Sequence, residues 1–335
     1  MSFPENRLTV RTPADLAAAV PYLLGFRPAD GSMVVIVLRK GRVVFAARAD
    51  LPAPGAPAHH LTDLGAHLIP VLQRQQPVND VVLIGYGDPD HIDPAMVAIS
   101  GLMTGGGLAV RELLRVTGAR VFNLTCDDPS CCSPQGFPFD PTASLVAVQA
   151  TAAGMVALPD RAAIRARFEP VRGATRAAMQ KATDAALARL KAMESTGGRS
   201  AVETAGAHAV REALQQSDRH LIDDEAAWIA VLLTNLTVRD LAVMATKPHD
   251  RHVTFWAEIT RRADEPLAPA PATLLAITAW RCGDGALASM AAEYALQADP
   301  AYQLAGLVLR ALRVGMPPST FDRLTGEGGY DPRNL

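Results

Sequence analysis

The feature that most constrains the fold is a change of pattern part-way along the chain. The runs MVVIVL (33–38) and VVLIGYG (81–87) are continuous, apolar and rich in β-branched residues, which predicts buried strands. VVFAARADL (43–51) predicts an antiparallel partner for the first run, and ARVFNL (119–124) predicts a further strand. Helical periodicity separates these strands, so the sequence predicts a layered α/β domain with a mixed sheet.

From about Ser144 onward only helical patterns remain, and alanine becomes abundant. We therefore predict an α/β domain over residues 1–158, ending in a cysteine-rich turn, and an all-α domain over residues 159–335. The predicted helices of the second domain are 162–194, 202–215, 224–243, 253–262, 273–280, 286–296 and 301–314.

Composition narrows the class of protein. The net charge of −2 implies no bulk attraction to nucleic acid or to an anionic membrane. Residues 1–16 lack a basic start followed by an apolar run, and no window approaches the roughly 18 apolar residues of a membrane span. We expect a cytoplasmic protein without a membrane or nucleic-acid partner, and no motif specifies its oligomeric state.

Three of the four cysteines, Cys126, Cys131 and Cys132, fall within seven residues. A structural zinc site needs four cysteine or histidine ligands, and the fourth would have to come from far away, for example from Cys282. A disulfide between Cys126 and one of the later pair is possible in an oxidising compartment. The sequence therefore leaves a zinc site, a disulfide and a thiol switch as alternatives to a purely structural turn.

The residues between these cysteines favour the structural turn. Asp128, Pro129 and Ser130 are typical turn residues, beneath which small apolar thiols could pack. The acidic side chains of Asp127 and Asp128 should raise the pKa of a neighbouring thiol, which disfavours ready reactivity.

A second cluster, Asp88, Asp90, His91 and Asp93, directly follows the run at 81–87. Ligands of open α/β sheets bind beyond the carboxyl ends of the strands, so these residues are candidates for a binding site. The carboxylates could hold Mg²⁺, or one could act with His91 in acid–base catalysis. The alternative is turn chemistry, with Asp93 as the N-cap of a helix that starts at Pro94.

Two pairs of polar residues complete the candidates. Arg48 and Asp50 alternate to the same face of a predicted strand, either as an exposed pair or as the polar lining of a pocket. His249 and His252 could place two imidazoles on one helical face, but Pro248 suggests a helix start there, and we expect both to be exposed.

Two further segments give only general expectations. Three glycines, 105–107, precede a predicted helix at 108–116, whose N-terminus could accept an anion, although no phosphate-binding signature follows. The segment Arg161–Lys191 holds six Arg and two Lys against two acids, which predicts a solvated basic face with compensating acids nearby, for example 223–225.

One helix pair has a more specific pattern. Gly283 and Asp284 form a turn, and the small residues Ala288 and Ala295 precede Asp299-Pro300 at positions that resemble a tetratricopeptide hairpin. There is one such copy, whereas a solenoid needs about three, so we expect a single terminal hairpin that packs on its neighbours.

Four separated motifs occur in the same order as in one known family. LTVRTPADLAAAVPYLLGFRPADGSMVVIVL, RADLP, CDDPSCC and PATLLAITAWRCGDGALASMAAEYALQADPAYQLAGLVLRAL together resemble the uncharacterised actinobacterial family called domain of unknown function 4192. The resemblance covers nearly the whole chain and implies no activity. One departure is that residues 120–124 read RVFNL where the family pattern has an aromatic-rich Arg-aromatic-Trp-Ser segment.

No nucleophile elbow, zinc-protease, kinase or deaminase signature is present in the sequence. We therefore expect a binding or regulatory protein that binds a protein or a small ligand and has no resident cofactor. A protein partner would contact the helical domain. One alternative is a hydrolase or transferase that acts on a phosphorylated small molecule with Mg²⁺ at the 88–93 loop. The other is a sensor that depends on zinc or on the cysteine thiols.

Overall fold

The computed structural model describes residues 10–75, 80–126 and 128–325. The chain divides into two compact units, Met1–Arg161 and Ala162–Leu335. The boundary predicted from the sequence followed Leu158, close to this division.

Among its described residues the first unit contains six strands and four full helices, and a short fifth helix spans its end. Its strands are β1 (Ser32–Arg39), β2 (Arg42–Asp50), β3 (Asp80–Tyr86), β4 (Val110–Thr117), β5 (Arg120–Asn123) and β6 (Phe137–Pro138). Its helices are α1 (Pro13–Leu24), α2 (His59–Gln73), α3 (Pro89–Gly105), α4 (Leu145–Ala152) and the start of α5 (Arg161–Ala166).

The six strands form one sheet in the order β2-β1-β3-β4-β5-β6. β3 and β4 are parallel, and α3 connects them, whereas every other neighbouring pair is antiparallel. The predicted α/β class with a mixed sheet is therefore confirmed.

Alternation along the strands divides the apolar side chains between two cores. Met33, Val35 and Leu83 point to the face covered by α2 and α3, while Val34 and Ile84 point to the face covered by α1. Both faces of β1 and β3 are buried, which is why their sequences are continuous apolar runs rather than alternating ones.

The first helix starts where its sequence predicts. Thr12 Oγ1 accepts a hydrogen bond from the backbone N–H of Asp15 at 3.1 Å, and the Asp15 carboxylate accepts one from the Thr12 N–H at 3.1 Å. This reciprocal pair is a capping box, and Pro13 occupies the first helical turn.

The predicted helix at 108–116 is wrong, because residues 110–117 form β4. Leu113 packs in the core under α2 and α3, and Leu114 packs in the core on the α1 side, so adjacent leucines are buried on opposite faces. Pairing with β3 determines this conformation, and the helix N-terminus proposed to accept an anion does not exist.

The second unit is helical among the residues that the structure describes, as predicted. Its elements are the rest of α5, α6 (Gly173–Gln215), α7 (Asp223–Leu232), α8 (Leu236–Ala245), α9 (Asp250–Arg262), the 3₁₀ turn Glu265–Leu267, α10 (Pro269–Arg281), α11 (Gly285–Ala298), α12 (Gln303–Arg313) and α13 (Pro318–Thr325).

The single helix predicted over 224–243 is two helices, α7 and α8, bent by 111°. Asn235 caps α8 by accepting a hydrogen bond from the Val238 N–H at 3.2 Å. Within the described residues no single helix has the length and apolar character of a membrane span, and only this bent pair together reaches that composition.

Helix α10 is the centre of the second core, since every residue from Pro269 to Trp280 is buried. A turn at residues 282–284 joins it to α11, and the two helices pack together as the predicted hairpin. Ala288 and Ala295 are fully buried in α11, which allows this close packing. The likeness of the hairpin to a tetratricopeptide unit stays a prediction.

The basic segment Arg161–Lys191 is compensated by other acids than those expected. Outside the segment, Asp264 pairs with Arg176 at 2.9 Å and Asp284 pairs with Arg167 at 3.6 Å. Within the segment, Glu169 pairs with Arg172 at 2.8 Å.

The expected acids have other partners. Asp223 forms an ion pair with Arg262, and Glu225 pairs with Arg219 at 2.8 Å. The prediction that residues 223–225 neutralise the basic segment is therefore wrong for these two acids.

The histidine pair also differs from the prediction. His249 is exposed and caps α9, but His252 is buried and accepts a hydrogen bond at Nδ1 from the Lys247 N–H at 3.0 Å. The expectation of two exposed imidazoles is wrong for His252. Burial lowers the pKa of His252, because the charged imidazolium loses its hydration there.

Candidate functional site

The cysteine-rich segment after β5 forms the predicted turn around Asp128. The Asp128 carboxylate accepts hydrogen bonds from the Ser130 N–H at 2.9 Å and from the Ser130 hydroxyl at 2.7 Å. The Asp128 carbonyl accepts from the N–H groups of Cys131 and Cys132 at 3.1 and 2.7 Å. These bonds fold the chain back so that the second and third thiols return toward Cys126.

The three thiols meet at the surface instead of packing in a core. Cys131 is exposed, and Cys126 and Cys132 are half-buried. The Sγ atoms of Cys131 and Cys132 are 3.8 Å apart, and all three Sγ atoms lie within 4.8 Å of one another. In the part of the chain that the structure describes, no other group of three or more acidic, histidine or cysteine ligand atoms is gathered this closely.

The pKa values of two of these thiols move in opposite directions. Hydrogen bonds from the Cys132 thiol, from the backbone near Asp128 and from the Cys131 thiol lower the pKa of Cys126. The bond to Cys126 raises the pKa of Cys132 to about 12. Asp128 raises the pKa of Cys126, as predicted, but this is the smallest contribution and the net shift of the Cys126 pKa is downward. Asp127 lies outside the described residues.

The acidic cluster after β3 is largely part of a helix start. Asp88 is the N-cap of α3 and accepts a hydrogen bond from the Asp90 N–H at 2.9 Å. Both carboxylates are exposed, while His91 is half-buried with its Nε2 2.7 Å from the carbonyl oxygen of Pro52. Asp88 and His91 thus have local structural partners, and the alternative of an Mg²⁺ site stays without a specific observation in its favour.

Asp93 is not a helix cap, contrary to the prediction, because α3 already starts at Pro89 and contains Pro94. Its carboxylate instead forms an ion pair with Arg115 on β4, whose side chain is only 9% exposed. Arg115 Nε also donates to Thr117 Oγ1 at 3.0 Å, and its guanidinium carbon lies 4.2 Å from the ring centroid of Phe122. This group links α3, β4 and β5 at the carboxyl edge of the two parallel strands.

Arg48 and Asp50 form an ion pair with an Nη2–Oδ1 distance of 2.5 Å. The Arg48 side chain is 11% exposed and that of Asp50 is 72% exposed, so the arginine lies against the protein and the carboxylate faces solvent. Tyr86 lies on the same face of the sheet, and burial raises the pKa of its hydroxyl.

The second unit contains a cleft of about 790 Å³ that the sequence did not indicate. Gly198 interrupts α6 with φ 64° and ψ −166°, so that the helix bends into two arms. The first arm contributes Arg189, and the second contributes one face of its helix. The complete lining is Arg189, Gly197, Ser200, Ala201, Thr204, Ala205, His208, Ala209, Glu212 and Trp228.

The cleft is lined by one row of polar residues and a second row of small residues. Ser200, Thr204, His208 and Glu212 recur every four residues and therefore share one face of the second arm. His208 Nδ1 lies 3.6 Å from Glu212 Oε2. The small residues Gly197, Ala201, Ala205 and Ala209 lie beside this polar row and leave the volume of the cleft unfilled. The first arm, the second arm and α7 thus line an open cleft that has both polar and apolar residues.

Arg189 and Trp228 form the opposite wall. The guanidinium carbon of Arg189 lies 4.0 Å from the Trp228 ring centroid, which is a cation–π contact. In a straight helix Arg189 and His208 would be about 28 Å apart, at roughly 1.5 Å per residue. The bend therefore creates the cleft. It lies between the predicted helices 162–194 and 202–215, where Gly197-Gly198 interrupts the helical pattern, but the break alone did not indicate a cleft.

The fold and these sites define a two-unit protein, with a mixed α/β sheet followed by a helical unit that carries a cleft. The chain matches the family model described as a domain of unknown function, DUF4192, over residues 13–319, and it belongs to that family. No curated protein and no solved structure matches it.

Proposed function

We propose that this protein is a ligand-binding protein, and that the cleft at the bend of α6 binds a small organic anion with an apolar part. The observation that carries the proposal is the cleft itself, whose volume of about 790 Å³ falls within the roughly 300–1,000 Å³ of small-molecule sites. Such sites combine apolar walls with a few placed polar groups, as this one does.

The charge of the ligand is inferred from Arg189. Its guanidinium is stacked on the Trp228 ring, so its N–H donors are left at the edge of the stack. A fork of donors in this geometry matches a carboxylate, phosphate or sulfonate. The Trp228 ring adds an apolar surface beside the charged group.

The remaining lining would orient the ligand. The hydroxyl groups of Ser200 and Thr204 can donate to or accept from it, and the small residues between them leave room for its apolar part. The carboxylate of Glu212 lies beside His208 and favours a donor at that end of the ligand. The ligand class is therefore an anion that also carries a hydrogen-bond donor.

A saturable anionic probe tests this proposal. We expect the fluorescent probe anilinonaphthalene sulfonate to bind once per chain and to quench Trp228. Arg189→Met removes the charge but keeps the apolar stem, and should weaken binding about tenfold, the equivalent of one charge-assisted hydrogen bond of roughly 1.5 kcal/mol.

The matched control is Arg199→Met. Arg199 lies on the same helix, but its side chain is 76% exposed and pairs with Glu203. This variant should bind the probe like the unmodified chain. Equal loss in both variants, or no saturable binding to the unmodified chain, would contradict the proposal.

We include a cytoplasmic location in the proposal. The thiols of Cys126, Cys131 and Cys132 are free and reach the surface, which suits a reducing compartment. Reaction with an impermeant thiol reagent on intact cells would contradict this location. A protein partner of the helical unit and a metal-dependent hydrolase or transferase have no observation as specific as the cleft.

A further inference from the structure

We propose that Cys126, Cys131 and Cys132 form a three-thiolate site for a thiophilic d¹⁰ cation, Zn²⁺ or Cu(I). The site lies in the α/β unit and is independent of the cleft in the helical unit. Its three ligands lie within one short stretch of sequence, so no second segment of the chain has to approach for them to be in place.

The distances between the sulfur atoms fit such an ion. A tetrahedral centre with Zn–S bonds of about 2.3 Å places its sulfur ligands about 3.8 Å apart. The Sγ atoms of Cys131 and Cys132 are 3.8 Å apart, and Cys126 Sγ lies within 4.8 Å of both. A small side-chain rotation of Cys126 would complete a triangular face of three sulfur ligands.

The turn around Asp128 holds this arrangement. The two backbone N–H groups that bond to the Asp128 carbonyl are those of Cys131 and Cys132, so the backbone that carries both ligands is fixed. The Asp128 carboxylate is engaged by Ser130 and adds negative charge close to the thiols without acting as a ligand. Both effects favour a cation at the centre of the three sulfurs.

The ligand chemistry determines the class of ion. Thiolates are soft ligands that select Zn²⁺ and Cu(I) over Mg²⁺ or Ca²⁺. Cys131 is exposed, so the fourth position of a Zn²⁺ ion would be open to water or to a ligand from solution, as in a catalytic or transfer site rather than a closed structural one.

Equilibrium dialysis of the metal-free, fully reduced chain against Zn²⁺ tests the proposal, followed by elemental analysis. A parallel dialysis uses Cu(I) kept reduced by a chelating competitor. We expect one ion per chain in at least one of the two experiments, and the experiment in which it is retained identifies the ion. Cys126→Ser and Cys132→Ser should each weaken retention at least tenfold.

Cys282→Ser is the matched control, because Cys282 is an exposed cysteine of the other unit. It should retain the ion like the unmodified chain. Far-UV circular dichroism checks that each variant is folded. The proposal would be overturned if the unmodified chain retained neither ion, or if Cys126→Ser and Cys132→Ser retained it as well as the unmodified chain. It would also be overturned if Cys282→Ser lost the ion as much as these two variants do.

Discussion

The ion pair between Asp93 and Arg115 should contribute strongly to the stability of the α/β unit. Arg115 is 8% exposed and its guanidinium contacts Asp93, Thr117 and Phe122. Asp93→Asn keeps the volume of the side chain but leaves the buried arginine without a counter-charge. Removal of one partner from a fully buried pair costs about 3–5 kcal/mol.

The Asp93 side chain is 35% exposed, so in the variant water can partly solvate the Arg115 guanidinium in place of the lost carboxylate. We therefore expect Asp93→Asn to lower the free energy of unfolding by about 2 kcal/mol. Arg115→Met removes the charge but keeps an apolar stem, and the double variant should be less destabilised than the sum of the single ones. The coupling energy should be about 1–2 kcal/mol.

Urea denaturation, followed by fluorescence and by circular dichroism, would measure the free energies of unfolding of these variants and their coupling energy. The three tryptophans, 228, 256 and 280, all lie in the helical unit, so their fluorescence reports that unit alone. Far-UV circular dichroism reports both units, and only its α/β component should shift.

Asp63→Asn, an exposed carboxylate on α2, is the control and should change stability by less than about 0.5 kcal/mol. A coupling energy below about 0.5 kcal/mol between Asp93 and Arg115 would refute the argument.

Four further predictions concern glycines of the backbone and the protonation of His252. Gly206→Ala should destabilise the helical unit by about 1–3 kcal/mol in urea denaturation, because a Cβ there would lie 2.4 Å from Val238 Cγ2. Gly101→Ala on α3, where a Cβ would meet nothing within 4 Å, should instead stabilise by about 0.5–1 kcal/mol, and a loss of stability would contradict this. Burial lowers the pKa of His252 in the folded protein, so the stability that this residue contributes is fully present above its unfolded pKa of 6.5 and is lost as the pH falls through its folded pKa. The urea midpoint of the helical unit should therefore fall between pH 7 and pH 5. The fall should be smaller in His252→Asn. Gly198→Ala should cost about 1–3 kcal/mol and abolish probe binding in the cleft, and unchanged binding would show that the bend does not depend on glycine.

Much of the α/β unit could be predicted because local signals agreed with the final packing. The continuous apolar runs of β1 and β3 and the capping box of α1 each predict the observed element. β4 could not be predicted in this way, since its apolar residues also fit one face of a helix. Pairing with β3, which is a non-local interaction, decided between the two.

The candidate sites show the same limit. Asp88-Pro89 and Asp93-Pro94 are equally good helix starts locally, and the choice of the first leaves Asp93 free to reach Arg115. The cysteine turn was visible in the sequence, but the gathering of its three thiols depends on backbone hydrogen bonds to Asp128. The cleft was missed because Arg189 and Trp228 are 39 positions apart, and only the bend of α6 brings their side chains together.

The bend at Gly198 makes the existence of the cleft depend on a single residue. Without it α6 would be a rod of about 64 Å for its 43 residues, at roughly 1.5 Å per residue. Every other amino acid has a Cβ, which disfavours the backbone conformation of Gly198. A single substitution at this position therefore favours a straight helix without the cleft. Among family sequences, we expect members with glycine at this position to have the cleft and members with another residue there to lack it.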